Sequence, residues 1–93
     1  MQNESVRRRV TVRGQVQAVG YRWSAKQQAD SIGARGFVRN LPDGSVELEV
    51  EGTPDVVDRM LAWAASGPPH AVVESVDATA IEPTGDAGFD IRH

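Results

Sequence analysis

The first regular pattern in the chain is an alternation of apolar and polar residues over "VRRRVTVRG". Val10 and Val12 fall on one side of an extended chain, whereas Arg7, Arg9, Thr11 and Arg13 fall on the other side. A period of two is typical of a β-strand that buries one face. The pattern therefore predicts a half-buried first strand that ends at Gly14.

A second alternation, over "SVELEVEG", predicts another strand. The strand "GFVRN" and the turn "LPDG" precede it, so the three segments together predict a hairpin. The valines and leucine of this strand share one face, and Glu47, Glu49 and Glu51 share the other. Three carboxylates on one face fit either a metal or acid/base site or the solvated face of a sheet. We favour the solvated face, with the arginines of the first strand as cross-strand partners.

Two helices lie between and after these strands. Nothing interrupts a helix from Tyr21 to Ile32, where apolar residues recur at i, i+4 and i+7, and Gly33 suits a left-handed cap. The second helix, within "TPDVVDRMLAWAASGPP", has Thr53 as its N-cap and Pro54 in its first turn, and "GPP" stops it.

Two more strands complete the order of elements: residues 71 to 81 are extended, and "FDIR" alternates in a short last strand. Strand, helix, strand, strand, helix, strand plus a terminal strand is typical of an α+β fold, the ferredoxin-like split βαβ sandwich. Right-handed crossovers then make the first two strands parallel with the third between them, in a mixed, largely antiparallel sheet with both helices on one face. The 93 residues suit one domain, residues 6–93, after a flexible segment, residues 1–5.

Composition and charge narrow the function classes. There is no cysteine, which excludes disulfides, thiolate catalysis and cysteine zinc sites. No apolar run approaches the roughly 20 residues of a membrane span, and no signal peptide is recognisable, so we expect a cytoplasmic protein without a membrane partner. The net charge of −3 disfavours nucleic acid, but residues 1–40 hold eight of the ten basic residues and only two acidic ones, which favours a small anion there.

The loop "GQVQAVGYRW" joins the first strand to the first helix, where unpaired backbone N–H groups favour an anion. Gly14 and Gly20 allow unusual backbone angles, and Arg22 offers a planar fork suited to phosphate oxygens. From these residues alone, two interpretations of the loop remain: a tight turn and a cradle for a phosphate. Parallel first and second strands, about 10 Å apart, would bring Asn40 to the same sheet edge, so Arg22 and Asn40 form a candidate pair.

Two long motifs in this order resemble those of the acylphosphatase family, over almost the whole chain beyond its first five residues. "GFVRNLPDGSVELEVEG" meets the second family signature in full. "GQVQAVGYR" meets the first with two departures, Ala18 in place of the usual glycine and Tyr21 in place of phenylalanine. If position 18 needs a positive φ, alanine there costs about 1 kcal/mol.

The resemblance implies hydrolysis of acyl phosphates to carboxylate and inorganic phosphate, without a metal or other cofactor. Carried onto this sequence, Arg22 is catalytic and holds the phosphate, and Asn40 is catalytic and orients the attacking water. The backbone N–H groups of the loop would complete the phosphate site: Gln15, Val16, Gln17, Ala18, Val19 and Gly20. The expected partners are a small acyl phosphate and inorganic phosphate, and the expected state is a monomer.

Other functions remain as alternatives. The first is a non-catalytic anion-binding or ligand-binding regulatory domain of the same fold. An RNA-recognition module is disfavoured, because glutamates rather than stacking rings occupy the exposed strand face. A module of a larger carbamoyl-transfer protein is disfavoured by a chain that ends just after its last strand. His70 and His93 lack ligand spacing, so no metal site is expected, and Trp23 either lines the substrate entrance or covers the start of the helix.

Overall fold

The computed structural model describes residues 4–93 as one five-stranded sheet with two helices. The elements are β1 (Val6–Gln15), α1 (Tyr21–Ile32), β2 (Arg35–Asn40), β3 (Val46–Gly52), α2 (Pro54–Ser66), β4 (Val72–Ile81) and β5 (Phe89–Arg92). The strand order is β4-β1-β3-β2-β5. β2 and β5 are parallel, and all other neighbours are antiparallel. The predicted ferredoxin-like arrangement is confirmed, with β3 between the parallel strands β1 and β2.

Both helices pack on one face of this sheet. α1 lies over β2 and β5, α2 lies over β1, β3 and β4, and the two helices contact each other. The alternating apolar residues of β1 and β3 point into this layer and are fully buried, as their period of two predicts. The largest contributions to the core come from Val10, Val12, Val38, Val46, Leu48 and Val50 of the sheet, and Tyr21, Val57 and Met60 of the helices.

The predicted helix ends are confirmed. Gly33 is left-handed, with φ 79°, and ends α1. Thr53 caps α2 through its side chain, which accepts a hydrogen bond of 3.3 Å from the N–H of Val56. In residues 4–93 no helix combines the length and the apolar character that a membrane span requires.

The tyrosine that departs from the family pattern has a structural partner. The hydroxyl of Tyr21 is buried and donates a hydrogen bond of 2.8 Å to the carbonyl oxygen of Ala64, in the last turn of α2. That carbonyl would normally accept from the N–H four residues later, but residue 68 is proline and has no N–H. Tyr21 therefore satisfies a carbonyl that Pro68 leaves unpaired, and it ties the start of α1 to the end of α2.

Two glutamates of the β3 face, Glu49 and Glu51, pair with arginines of β1, as predicted, whereas Glu47 pairs with Arg39 of β2. Arg7 contacts Glu49 and Glu51, each at 2.9 Å, and Arg9 contacts Glu49 at 3.4 Å. The expectation of a solvated face is wrong at one end, however, because Arg7 and Glu51 are 2% and 1% exposed. The chain between β4 and β5 crosses this end of the sheet and excludes water, and its residues Thr84 and Asp86 accept hydrogen bonds from the guanidinium of Arg7.

This buried network sets the ionisation of Glu51. Burial by itself raises the pKa of the Glu51 carboxyl, but hydrogen bonds from the N–H of Thr84, the guanidinium of Arg7 and the N–H of Gly85 outweigh it. The pKa of Glu51 is therefore held below its usual range. The carboxylate stays charged inside the protein because each of its oxygens accepts hydrogen bonds.

Candidate active site

The loop between β1 and α1 leaves an anion-binding helix end open. Gly20 is the N-cap of α1, with φ 80°, and its carbonyl oxygen accepts the N–H of Ser24 at 3.0 Å. No side chain of residues 4–93 caps α1, and its first turn contains no acidic residue. The N–H groups of this turn therefore remain free to donate hydrogen bonds to a ligand, and the helix dipole adds a partial positive charge. This end of α1 is chemically suited to a phosphate group.

Ala18 occupies a left-handed backbone conformation in the same loop. Its φ is 62°, and it is the only non-glycine residue with a positive φ in residues 4–93. The condition raised for position 18, a positive φ, is met in the structure. An L-residue with a Cβ is strained there by roughly 1–2 kcal/mol. The strain lies in the loop that would approach the substrate.

Gly14 allows a close contact between strands, a role that the sequence did not suggest. It has φ 131°, and a Cβ at this position would collide with the carbonyl oxygen of Val72 in β4. A bulge between Arg13 and Gly14 accompanies this close approach of the two strands. β1 also continues one residue beyond its predicted end, to Gln15, which lies opposite Val72. The close approach of β4 therefore explains why residue 14 is a glycine, and this explanation requires no bound anion.

The loop and the end of β2 line one pocket of about 270 Å³. Five predicted site residues meet there: Val16, Ala18, Gly20, Arg22 and Asn40. Trp23, for which a place at the substrate entrance was one of two open interpretations, also lines it, together with three residues without a predicted role in the site: Tyr21, Ile91 and His93. The candidate pair from the sequence, an arginine of α1 and an asparagine of β2, thus borders a single space.

Three predicted loop residues lie outside the lining of this pocket. Gln15 belongs to β1, as described above, and Val19 packs against the core. The side-chain amide of Gln17 donates to the carbonyl oxygens of Leu41, at 2.8 Å, and Ser45, at 2.9 Å. Gln17 therefore connects the loop to the turn that follows Asn40.

The guanidinium of Arg22 is held by the end of β5. Its Nη1 donates to the carbonyl oxygen of Arg92 at 3.2 Å and lies 3.1 Å from Nδ1 of His93. Because a guanidinium only donates, Nδ1 is the acceptor in this pair. Nε and Nη2 of Arg22 make no hydrogen bond to any residue in the described range 4–93, so these donors are available to a ligand.

Asn40 is the last residue of β2, opposite Val46 of β3. Its side chain is half-buried and makes no hydrogen bond within the part of the chain that the structure describes. A neutral amide can both accept from a water molecule and donate to an oxygen. It does so without the repulsion that a carboxylate would exert on an anionic substrate.

The contribution of His93 and Ile91 was not predicted. β5 pairs in parallel with β2, with Arg92 opposite Arg39, so the residues that end both strands reach the same sheet edge. The alternation in "FDIR" predicted a strand but carried no information on its partner.

No group of three or more His, Cys, Asp or Glu side chains among residues 4–93 is placed to hold a single metal ion.

Comparison with known proteins identifies the family. A family model described as Acylphosphatase matches residues 8–91. An acylphosphatase of Trichormus variabilis is 45% identical over 91 residues, which cover 98% of this chain and 90% of that protein. One from Thermococcus kodakarensis is 45% identical over 86 residues, covering 92% of this chain and 94% of that protein. The chain belongs to the acylphosphatase family.

Solved structures agree with this membership. The structure of an acylphosphatase from Coxiella burnetii superposes with a TM-score of 0.92 at 34% identity, covering 97% of this chain and 94% of that one. The T. kodakarensis HypF structure matches at 30% identity with a TM-score of 0.82 and covers 95% of this chain, but only 12% of HypF. The family predicted from the two motifs and the fold predicted from the order of elements are both confirmed.

Proposed function

We propose that this acylphosphatase hydrolyses acyl phosphates in the pocket at the ends of β2 and β5, with Arg22 and Asn40 as its catalytic residues. Acyl phosphate hydrolysis is the predicted function, and membership in the family confirms it. The observation that supports the residue roles is the single pocket lined by the loop, Arg22 and Asn40.

The phosphoryl group binds at the open N-terminal end of α1. The free N–H groups of the first turn and the backbone of the loop donate to its oxygens, and Arg22 adds a permanent positive charge. Nη1 of Arg22 is already held by the carbonyl of Arg92, so the guanidinium is oriented before substrate arrives. Preorganised donors of this kind stabilise the charge that develops on the phosphoryl oxygens in the transition state.

Asn40 orients the attacking water through its side-chain oxygen, which accepts a hydrogen bond from that water. The water oxygen bonds to phosphorus while the bond from phosphorus to the acyl oxygen breaks. The carboxylate leaves with the electron pair of that bond, and the proton of the water passes to the phosphate. A carboxylate is a good leaving group, so positioning and charge stabilisation can supply most of the catalysis.

The deciding experiment is hydrolysis of benzoyl phosphate in the presence of a chelator. We expect Arg22→Ala to raise KM and lower kcat, because it removes both binding and charge stabilisation. Asn40→Ala should lower kcat by about 100-fold or more and leave phosphate affinity nearly unchanged, since the amide acts on water. Arg59→Ala is the matched control, because Arg59 lies exposed on α2 and pairs only with Asp55 among the described residues.

Two outcomes would contradict the proposal. Unchanged turnover in Arg22→Ala or Asn40→Ala would remove the assigned roles. Phosphate binding by wild type, followed by NMR, without hydrolysis of any acyl phosphate would point to the alternative, a non-catalytic anion-binding domain.

We also propose that the enzyme acts as a monomer in the cytoplasm. The absence of cysteine from the sequence supports this location, because a reducing compartment does not favour disulfides. Sedimentation equilibrium at micromolar concentration should give the monomer mass of 10.0 kDa. Cell fractionation of the tagged protein tests the compartment.

A further inference from the structure

The side chain of Trp23 lines the pocket while 63% of it remains exposed. The sequence left open whether this tryptophan lines the substrate entrance or covers the start of α1. Tyr21 performs the covering role, because it is 1% exposed, bonds to Ala64 and packs against Trp63 with 5.2 Å between ring centroids. The indole of Trp23 is therefore not needed to seal the helix start.

The surroundings of Trp23 in the pocket are partly apolar. Val16 and Ile91 line the same space as Arg22 and Asn40, and no side chain among the described lining residues is a carboxylate. Arg22 and Trp23 line the same pocket, so a group attached to a phosphate held by Arg22 lies within reach of the indole. In an acyl phosphate a single oxygen atom separates the acyl carbon from phosphorus. With the phosphate bound, the acyl group therefore lies beside these apolar side chains.

We infer that Trp23 determines acyl-group specificity by packing against the acyl group, so that the enzyme favours aromatic or other flat, apolar acyl groups over acetyl. This inference rests on the proposed function, because it names the substrate class of that same pocket. The pocket volume of about 270 Å³ suits a phosphate with one small acyl group, since it lies just below the range of about 300–1,000 Å³ for small-molecule sites. The packing energy of an indole ring is most favourable when its face contacts another flat ring.

Hydrolysis of two substrates tests this assignment. Trp23→Ala should lower kcat/KM for benzoyl phosphate by about three- to tenfold, a size typical of one aromatic contact. It should leave kcat/KM for acetyl phosphate within about twofold, because the acetyl group has little surface to contact the indole. Trp23→Phe should retain most of the benzoyl phosphate activity. An equal loss on both substrates, or no loss on either, would overturn the assignment.

A binding experiment separates this inference from the proposed function. The chain has two tryptophans, so Trp63→Phe leaves Trp23 as the only indole reporter. Titration of this variant with benzylphosphonate should change its fluorescence and give an affinity about three- to tenfold higher than for methylphosphonate. Calorimetry of Trp23→Ala should show that this preference is lost.

The results distinguish the two ideas. If wild type hydrolyses neither acyl phosphate but keeps the Trp23-dependent preference for benzylphosphonate, the proposed reaction fails and the recognition of a flat group beside the phosphate stands. If wild type hydrolyses both substrates and Trp23→Ala keeps their ratio unchanged, the role of Trp23 fails and the reaction stands.

Discussion

The side-chain amide of Gln17 donates a hydrogen bond of 2.8 Å to the carbonyl oxygen of Leu41. The same nitrogen also donates to the carbonyl oxygen of Ser45 at 2.9 Å. Leu41 directly follows Asn40, and Gln17 lies in the middle of the candidate phosphate loop. One side chain thus links the group proposed to orient water to the backbone proposed to hold the phosphate.

Replacement of Gln17 should therefore reduce catalysis through misplacement of both halves of the site. In Gln17→Ala two carbonyls lose a donor, so we expect a loss of about 1 kcal/mol in the free energy of unfolding. We expect kcat to fall about tenfold, since small displacements of aligned groups are costly. Steady-state kinetics with benzoyl phosphate, together with urea unfolding, measure the two effects. A loss of stability with unchanged kcat would show that the link is structural only.

Relief of strain at Ala18 gives a second prediction. Ala18→Gly removes the strain of a positive φ, roughly 1–2 kcal/mol, but gives the unfolded chain more freedom, which costs about 0.4–1 kcal/mol. We expect the free energy of unfolding to rise by about 0.5 kcal/mol and inorganic phosphate to bind more tightly. Urea unfolding and an NMR titration with phosphate measure these changes.

Ala62→Gly is the matched control for this substitution, because Ala62 is an exposed residue of α2. In a helix interior the same change should lower stability by about 1 kcal/mol. If both glycine variants lost stability equally, the loop would accept alanine at position 18 without strain.

Tyr21→Phe should separate stability from activity. The variant keeps the ring but leaves the carbonyl of Ala64 without the donor that Pro68 cannot supply. We expect a loss of about 1 kcal/mol in the free energy of unfolding, with kcat/KM within about twofold of wild type. Burial raises the pKa of the Tyr21 hydroxyl far above its ordinary value, so the group stays a donor across the assay range. A large loss of activity without loss of stability would instead assign the hydroxyl to the reaction.

Glu51 should make the stability of the enzyme depend on pH. The pKa of Glu51 is lower in the folded protein than in the unfolded chain, where the ordinary value is about 4.3. Between these two values the unfolded chain binds a proton that the folded protein does not, so stability decreases as the pH falls. The free energy of unfolding of wild type should therefore decline more steeply from about pH 5 to pH 3 than that of Glu51→Gln.

At neutral pH, Glu51→Gln should be less stable than wild type by about 3 kcal/mol, because it leaves Arg7 buried beside an uncharged group. Glu47→Gln is the control on the same strand face, since Glu47 pairs with the half-exposed Arg39. Its cost should stay below about 1 kcal/mol. Equal effects of the two substitutions, or parallel pH profiles for wild type and Glu51→Gln, would contradict a specific role for the buried network.

Local patterns in the sequence determined the elements and the buried faces of this protein. The period of two in β1 and β3 placed their valines in the core, and Gly33 and Thr53 marked helix ends, because these signals act over a few residues. The motif residues Arg22 and Asn40 were likewise recognisable from the sequence.

The tertiary structure alone decided the contacts between distant segments. It covered Glu51 with the chain around Thr84 and explained Gly14 by the close approach of β4. It also brought His93 against Arg22. The partners in these three contacts are 33 to 71 residues apart in sequence. A local pattern shows that a side chain is polar or that a strand forms, but the identity of its partner depends on how the whole chain packs.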